Sequence, residues 1–280
     1  MRRRGVSISI AAVAACAALG AGAALAPAAG GPISLVKRTG HLHDFVTSAV
    51  GCGSGRTALS GGFSAGSRVI SQRSAPTAAG GWQVRLFDNT NPSPPRSFTA
   101  SALCERSGAR RIKRVSREIS LAAGKRRTVV APCPSGWKVL AGGYAVLPPF
   151  AGGLTGAIGV DRSNRVSPTE WAVSGTNDQL ATTLVAYAIC ERASMPKVSK
   201  VVKQANLAGS GQTTALAKCG PGSHLLGGGF KSRPPEHAGL FPAISTSAPA
   251  GTRSWKATYS GPGMHPNGAS ITSFAYCESN

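Results

Sequence analysis

The stretch CPSGWKVLAGGY, Cys133–Tyr144, decides how the chain is divided. It crowds a cysteine, a proline and a glycine doublet into one short segment, an odd mixture for a protein core. The same pattern, Cys-x-x-Gly-x-x-x-Leu-x-Gly-Gly-aromatic, returns without a gap as CGSGRTALSGGF at Cys52–Phe63 and as CGPGSHLLGGGF at Cys219–Phe230. Gly136 is expected to allow a tight turn at positive φ, and Leu140 to enter the core. Gly142-Gly143 mark either a bulge or a place where another backbone or an aromatic ring packs closely. A phosphate-binding loop is a weak reading, because no Lys or Ser/Thr follows at the required spacing and no helix begins there.

Working outward, each copy next places a tryptophan in a strand-like run: GWQVRLF around Trp82, EWAVSGT around Trp171 and SWKATYS around Trp255. Each then closes on a cysteine followed by glutamate, at Cys104-Glu105, Cys190-Glu191 and Cys277-Glu278. The closing cysteine lies 29 residues before the next opening one both times, so the connection belongs to the repeat. A period this long, roughly 80 residues, exceeds the ~20–50 of solenoid arrays and favours tandem small units.

Helix signals are scarce outside the N-terminal leader, whereas strand signals recur. In the second copy VSREISLAA, RRTVVAPC, WKVLAGGY, EWAVSG and TTLVAYAIC read as strands. Pro148-Pro149, Gly152-Gly153 and the equivalent Pro234-Pro235 read as long loops before the tryptophan strand. The expected fold is all-β: three tandem antiparallel β-sandwich or small-barrel modules over residues 29–108, 109–194 and 195–280, each with one disulfide, after a signal peptide at 1–28. The motif Cys-Pro-x-Gly…Gly-Gly-Tyr…Trp…Ala-x-Cys, carried by Cys133–Tyr144 and Trp171–Cys190, resembles repeats in secreted proteins of actinomycete-type bacteria. That group has no established function, so the resemblance implies no activity and no site residue. Copies one and three depart from it with Gly53 and Gly220 in place of Pro134.

The leader opens Met1-Arg2-Arg3-Arg4 and then runs uncharged from Gly5 to Gly31, the anatomy of a secretory signal. Cleavage after Ala26-Pro27-Ala28 is preferred to cleavage after Ala26, which would leave Pro27 at the cut. Secretion is the expected localisation. Two alternatives tie the chain to a membrane: lipidation of Cys16 in Val13-Ala14-Ala15-Cys16, or an uncleaved leader of the ~20 residues a bilayer needs. Six cysteines remain after the leader, an even number in an exported chain. The favoured pairing is within copies, Cys52–Cys104, Cys133–Cys190 and Cys219–Cys277. The rival set, Cys104–Cys133, Cys190–Cys219 and Cys52–Cys277, implies one pseudo-threefold domain. No CxxC pair suggests zinc, and no cofactor is expected.

The chain has 31 Lys and Arg against 10 Asp and Glu, a formal charge of +21. Loss of the leader removes three arginines and no acid, so the mature chain stays strongly basic. That charge favours acidic partners: an anionic cell-wall polymer or another polyanion. The densest basic segment, Arg110–Arg127, puts Arg110, Arg114, Lys125, Arg126 and Arg127 on what reads as one exposed strand edge. Charged edges also block edge-to-edge aggregation. Specific nucleic-acid binding is not expected, since stacking needs exposed aromatics and Trp82, Trp171 and Trp255 keep the phase of the cysteines, as core residues would. Trp137 has no counterpart and is the aromatic best suited to a surface contact.

Catalytic constellations are poor. His41, His43 and Asp44 offer two imidazoles on one strand face, without counterparts in the other copies. His224, His237 and His265 all fall in the third copy, which has no aspartate, and no nucleophile elbow occurs. Glu105, Glu191 and Glu278 read as structural. The expectation is a noncatalytic exported binding or structural protein of the envelope. The alternative is a secreted hydrolase or enzyme inhibitor whose active loop lies in a variable segment such as Leu147–Asn164.

Overall fold

A computed structural model describes residues 33–67, 69–88, 95–148, 158–177, 181–192, 198–207, 211–233, 243–261 and 269–279. The expected signal peptide and Cys16 lie outside the described residues, as do Lys197, His237 and His265. The described structure is all-β and antiparallel. The first repeat supplies β1 (Ile33–Leu42), β2 (Phe45–Val50), β3 (Arg56–Ala65), β4 (Val69–Pro76), β5 (Trp82–Asp88) and β6 (Arg96–Arg106). The second supplies β7 (Ile112–Leu121), β8 (Lys125–Pro132), β9 (Trp137–Leu147), β10 (Ile158–Ser167), β11 (Glu170–Asn177) and β12 (Thr182–Arg192). The third supplies β13 (Val198–Asn206), β14 (Gly211–Lys218), β15 (Ser223–Arg233), β16 (Ala243–Pro249), β17 (Ser254–Gly261) and β18 (Ser270–Ser279).

Each repeat therefore contains a strand the sequence reading treats as loop: β4, β10 and β16. In the second repeat it occupies the latter part of the Leu147–Asn164 segment. These strands lack clean alternation because each has a bulge, at Ser71/Arg73, Val160/Arg162 and Ile244/Thr246. Both of their faces are also buried, so polar residues such as Ser74, Ser163 and Ser247 sit inside and hide the period-2 signal.

The first, sixth and third strands of a repeat form one half-sheet; the second, fifth and fourth form another. Each half-sheet then joins one from a different repeat, giving three six-stranded sheets: β1-β6-β3-β16-β17-β14, β2-β5-β4-β9-β12-β7 and β13-β18-β15-β10-β11-β8. The seams are short antiparallel pairings of β3 with β16, β9 with β4 and β15 with β10. Three repeats thus close in a ring, and one core cluster draws residues from all of them. The sheets are open, not closed barrels. Pairing of the cysteines is within repeats, Cys52–Cys104, Cys133–Cys190 and Cys219–Cys277, with Cα separations of 5.5, 5.7 and 5.7 Å. Intra-repeat disulfides and a pseudo-threefold body coexist, a combination neither sequence-level pairing scheme contains.

The glycine doublet explains how the ring closes. A Cβ on the first glycine, Gly61, Gly142 or Gly228, would run into the tryptophan ring of the same repeat, Trp82, Trp171 or Trp255. On the second, Gly62, Gly143 or Gly229, it would strike the carbonyl of Ser247, Ser74 or Ser163 on the neighbouring repeat's seam strand. Both close approaches expected of the doublet are present: the first glycine faces the ring and a neighbouring strand's carbonyl, the second faces the backbone of another repeat. The same serines accept a hydrogen bond from each buried tryptophan: Trp82 Nε1 to Ser74 Oγ at 3.0 Å, Trp171 to Ser163 at 3.1 Å and Trp255 to Ser247 at 3.2 Å. Register shifts mark a bulge at Leu59, Leu140 and Leu226. These fully buried leucines meet in one cluster at the centre of the ring. The turn glycines Gly55, Gly136 and Gly222 have φ of 68°, 77° and 69°, as the tight turn requires.

Candidate anion-binding faces and a buried arginine

The basic segment is dispersed by the fold. Arg110 lies on the connection between the first two repeats and turns inward, its side chain 7% exposed. Its Nε donates to Glu105 at 2.9 and 3.0 Å; Nη1 donates to Glu191 at 3.0 Å and to Glu278 at 2.8 Å, and Nη2 also reaches Glu278. The three glutamates that follow the closing cysteines thus converge on one guanidinium, their side chains 3–5% exposed. His224 Nε2 also contacts Glu278, at 2.7 Å. Burial works against Arg110's charge, but the bonds to Glu278 and Glu105 outweigh it and hold its pKa above the usual guanidinium value. Burial raises Glu105 and Glu191 despite Arg110. At Glu278 burial has the same tendency, but the hydrogen bonds and charges of Arg110 and His224 overcome it and lower the carboxyl.

Arg114 on β7 is also occupied structurally. It donates to the Thr77 carbonyl at 2.9 Å and to Thr57 Oγ1 at 3.1 Å, both in the first repeat. Lys125 and Arg127 alternate with Arg126 along β8, the last strand of its sheet. Arg126 forms a bidentate pair with the buried Asp161, at 2.7 and 3.0 Å. The five predicted cations therefore do not share one edge. A different charge does recur: Arg38, Arg117 and Lys203 stand at equivalent points of three of the edge strands, β1, β7 and β13, opposite Ala100, Ala186 and Ser273. All three are exposed, an arrangement that deters edge pairing. Trp137 is half-buried against the core. Among the described residues no three His, Cys, Asp or Glu side chains are placed to hold a metal ion; His41 is exposed on β1, and Asp44 lies in the turn before β2.

The chemistry appears where the repeats join. Cross-strand partners share a face and stand about 4.5–5.5 Å apart at Cβ, so one row can be followed across each sheet at the level of its seam. On the sheet ending in β8 the row is Gln204, Thr272, Lys231, Arg162, Ser174, Thr128. Lys231 and Arg162 are direct neighbours across the seam. Lys200 lies on the same face, its Nζ 5.7 Å from the centre of the Phe274 ring, and exposed Val202 lies beside it. Arg162 donates to Asn164 Oδ1 at 2.8 Å; burial lowers its pKa against the opposing charge of Asp161, with the Arg126 charge adding a smaller push in the same direction as burial. Asp161, the acid beside this row, is paired with Arg126, and its charge also acts on Arg162.

The equivalent row on the sheet ending in β14 is Thr39, Thr99, Ser64, Thr246, Thr258, Thr214, all hydroxyls. Four of its members pair, Ser64 with Thr246 at 3.0 Å and Thr214 with Thr258 at 2.9 Å. On the third sheet the row is Glu118, Val185, Ala145, Arg73, Arg85, Thr47. One backbone thus presents three different surfaces. Arg162 and Lys231 are far apart in sequence and adjoin only because β10 pairs with β15, a pairing no local signal announces. A comparison with models of known protein families gives no match, and neither does one with curated proteins.

Proposed function

We propose that the protein is an exported, noncatalytic binding protein whose ligand is a polyanion, an anionic cell-wall polymer being the best-suited partner, held on the outer face of the β13-β18-β15-β10-β11-β8 sheet. The observation that carries this reading is the seam pair Arg162–Lys231, set among side-chain hydroxyls and amides, with Lys200 farther along the same face. Like charges directly opposite each other on neighbouring strands are destabilising. The hydroxyl row on an equivalent seam indicates that the backbone needs no charge at that point. Cations kept there at a cost to folding fit a face selected for an external anion. Disulfides in every repeat accord with an oxidising, extracellular setting.

The test is binding of purified wall polymer and of a synthetic polyphosphate chain at several salt concentrations. Affinity should fall log-linearly with salt, as it does when polyelectrolyte binding releases counterions. The triple variant Lys200→Gln, Arg162→Gln, Lys231→Gln should bind at least tenfold more weakly at low salt and show a slope shallower by about 2. Equal affinity and slope in wild type and variant would overturn the assignment of this face.

A further inference from the structure

We infer that a hollow on the outer face of β1, β6 and β3 binds a neutral, hydroxyl-rich ligand, a stretch of about two pyranose units of an uncharged glycan. The hollow measures about 540 Å³, within the ~300–1,000 Å³ of small-molecule sites. Thr39 on β1 stands opposite Thr99 on β6, and Thr99 opposite Ser64 on β3, so three hydroxyls run across three strands. His41 stands opposite Ser97, two residues farther along the same pair of strands and therefore on the same face. All five residues line the hollow. On the opposite face the Phe98 ring packs against Gly40, where an added Cβ would meet it at 2.8 Å, and this seats β1 on β6 beneath the hollow.

Three features single out this place. No Asp, Glu, Lys or Arg lines it, in a chain with 31 Lys and Arg. Arg96, the cation next to Ser97 in sequence, is engaged by Asp88 at 3.1 Å and by the Ser67 carbonyl at 3.2 Å. A charged ligand therefore meets no counter-charge in these walls. Second, among the described residues the side chains of Thr39, Ser97 and Thr99 have no hydrogen-bond partner, and Ser64 bonds only Thr246. A hydroxyl both donates and accepts, as does neutral imidazole between its two nitrogens. That suits a ligand whose own hydroxyls do both, not a phosphate that only accepts or an ammonium that only donates. The three hydroxyls cover two strand spacings, about 10 Å, longer than one sugar ring. Third, the counterparts of Thr39, Thr99 and Ser64 are Gln204, Thr272 and Lys231 on one sheet and Glu118, Val185 and Ala145 on the other. Of these three equivalent rows, this one alone combines short side chains with a hydroxyl at every point.

This site lies on another sheet from the polymer-binding face and is tested separately. Cellobiose, maltose and N,N′-diacetylchitobiose are titrated into the oxidised full-length mature protein by calorimetry. At least one should bind with a stoichiometry of one, and its affinity should change less than about twofold from low to high salt, because no counterion is released. Polyphosphate loses affinity over the same change, so either reading can fail without the other. Thr99→Val keeps the volume and removes one hydroxyl; it should weaken sugar binding about two- to tenfold, the ratio for one hydrogen bond. Ser64→Lys puts at this seam the residue type that Lys231 already supplies at the equivalent one. It should keep a wild-type melting temperature, fill the hollow and abolish binding. Thr47→Val, which removes an exposed hydroxyl on β2 outside the hollow, should leave binding unchanged. No binding by any of the three sugars would overturn the site. So would wild-type affinity in Thr99→Val or in a folded Ser64→Lys, an equal loss in Thr47→Val, or an affinity that disappears as salt rises.

Discussion

Arg110→Met tests the convergence of three carboxylates on one cation. Methionine keeps the length and removes the charge and every donor. Glu105, Glu191 and Glu278 would then stay nearly inaccessible to water, at 3–5% side-chain exposure, with His224 able to serve only Glu278. Carboxylates in that position take up protons instead of remaining charged. A glutamate whose free value is ~4.3 costs about 3.7 kcal/mol to keep neutral at pH 7, at ~1.36 kcal/mol per pH unit. One such carboxyl gives a loss of at most about 4 kcal/mol and two, Glu105 and Glu191, at most about 7 kcal/mol, reduced by the part their raised wild-type values already cost, and comparable with the ~3–5 kcal/mol lost when one member of a buried ion pair is removed. At pH 4.5 the free side chains are already half protonated, so the loss should shrink to about 1 kcal/mol. The assay is urea unfolding of the disulfide-intact protein, followed by tryptophan fluorescence at both pH values. A destabilisation that is the same at pH 7 and pH 4.5, or under about 1 kcal/mol at pH 7, would refute the electrostatic role. In wild type the signs are mixed. Glu105 and Glu191, raised by burial, contribute stability that is present at acid pH and lost as pH rises through their folded values. Glu278, lowered by Arg110 and His224 against its burial, contributes stability that is lost as pH falls through its folded value.

Gly143→Ala should prevent assembly of a protease-resistant fold, because the new methyl strikes the Ser74 carbonyl across the seam; Gly136→Ala, in open space at φ 77°, should fold and lose only about 1–2 kcal/mol in the same protease and thermal-melt comparison. Replacing both Cys133 and Cys190 by serine releases a loop with a sequence separation of 57 and should lower stability by about 4 kcal/mol in denaturant titration.

The fold class was legible because its signals repeat in phase: cysteine, turn glycine, leucine, glycine doublet and tryptophan each recur three times, and each does the same job in every copy. What could not be read was which half-sheet joins which. The seam strands β4, β10 and β16 are polar, bulged and buried on both faces, so neither alternation nor an apolar run reveals them. The doublet gave the one hint of a close approach by another backbone, but not that this backbone belongs to another repeat. The charged residues were misleading for the opposite reason. Arg110–Arg127 is dense in sequence and scattered in space, while Arg162 and Lys231 are sparse in sequence and adjacent in space.

Fusion of the repeats into one chain has a consequence at the centre of the ring. Three identical chains around a threefold axis would place three glutamates there together with three equivalent arginines or with none. One guanidinium already contacts all three carboxylates, and three bare carboxylates would have to be neutralised by protons or by an ion. A single chain escapes that choice, because the connection from the first repeat to the second supplies one arginine at Arg110. The same freedom operates at the seams. Equivalent points of one backbone carry Ser64 with Thr246, Arg162 with Lys231, and Arg73 with Arg85 beside Ala145. The parts that must stay alike, glycine against tryptophan and serine against indole, are those that close the ring. The faces outside that contact are free to diverge, which lets one scaffold carry a hydroxyl row, an Arg–Lys pair and an Arg–Ala pair at equivalent seams.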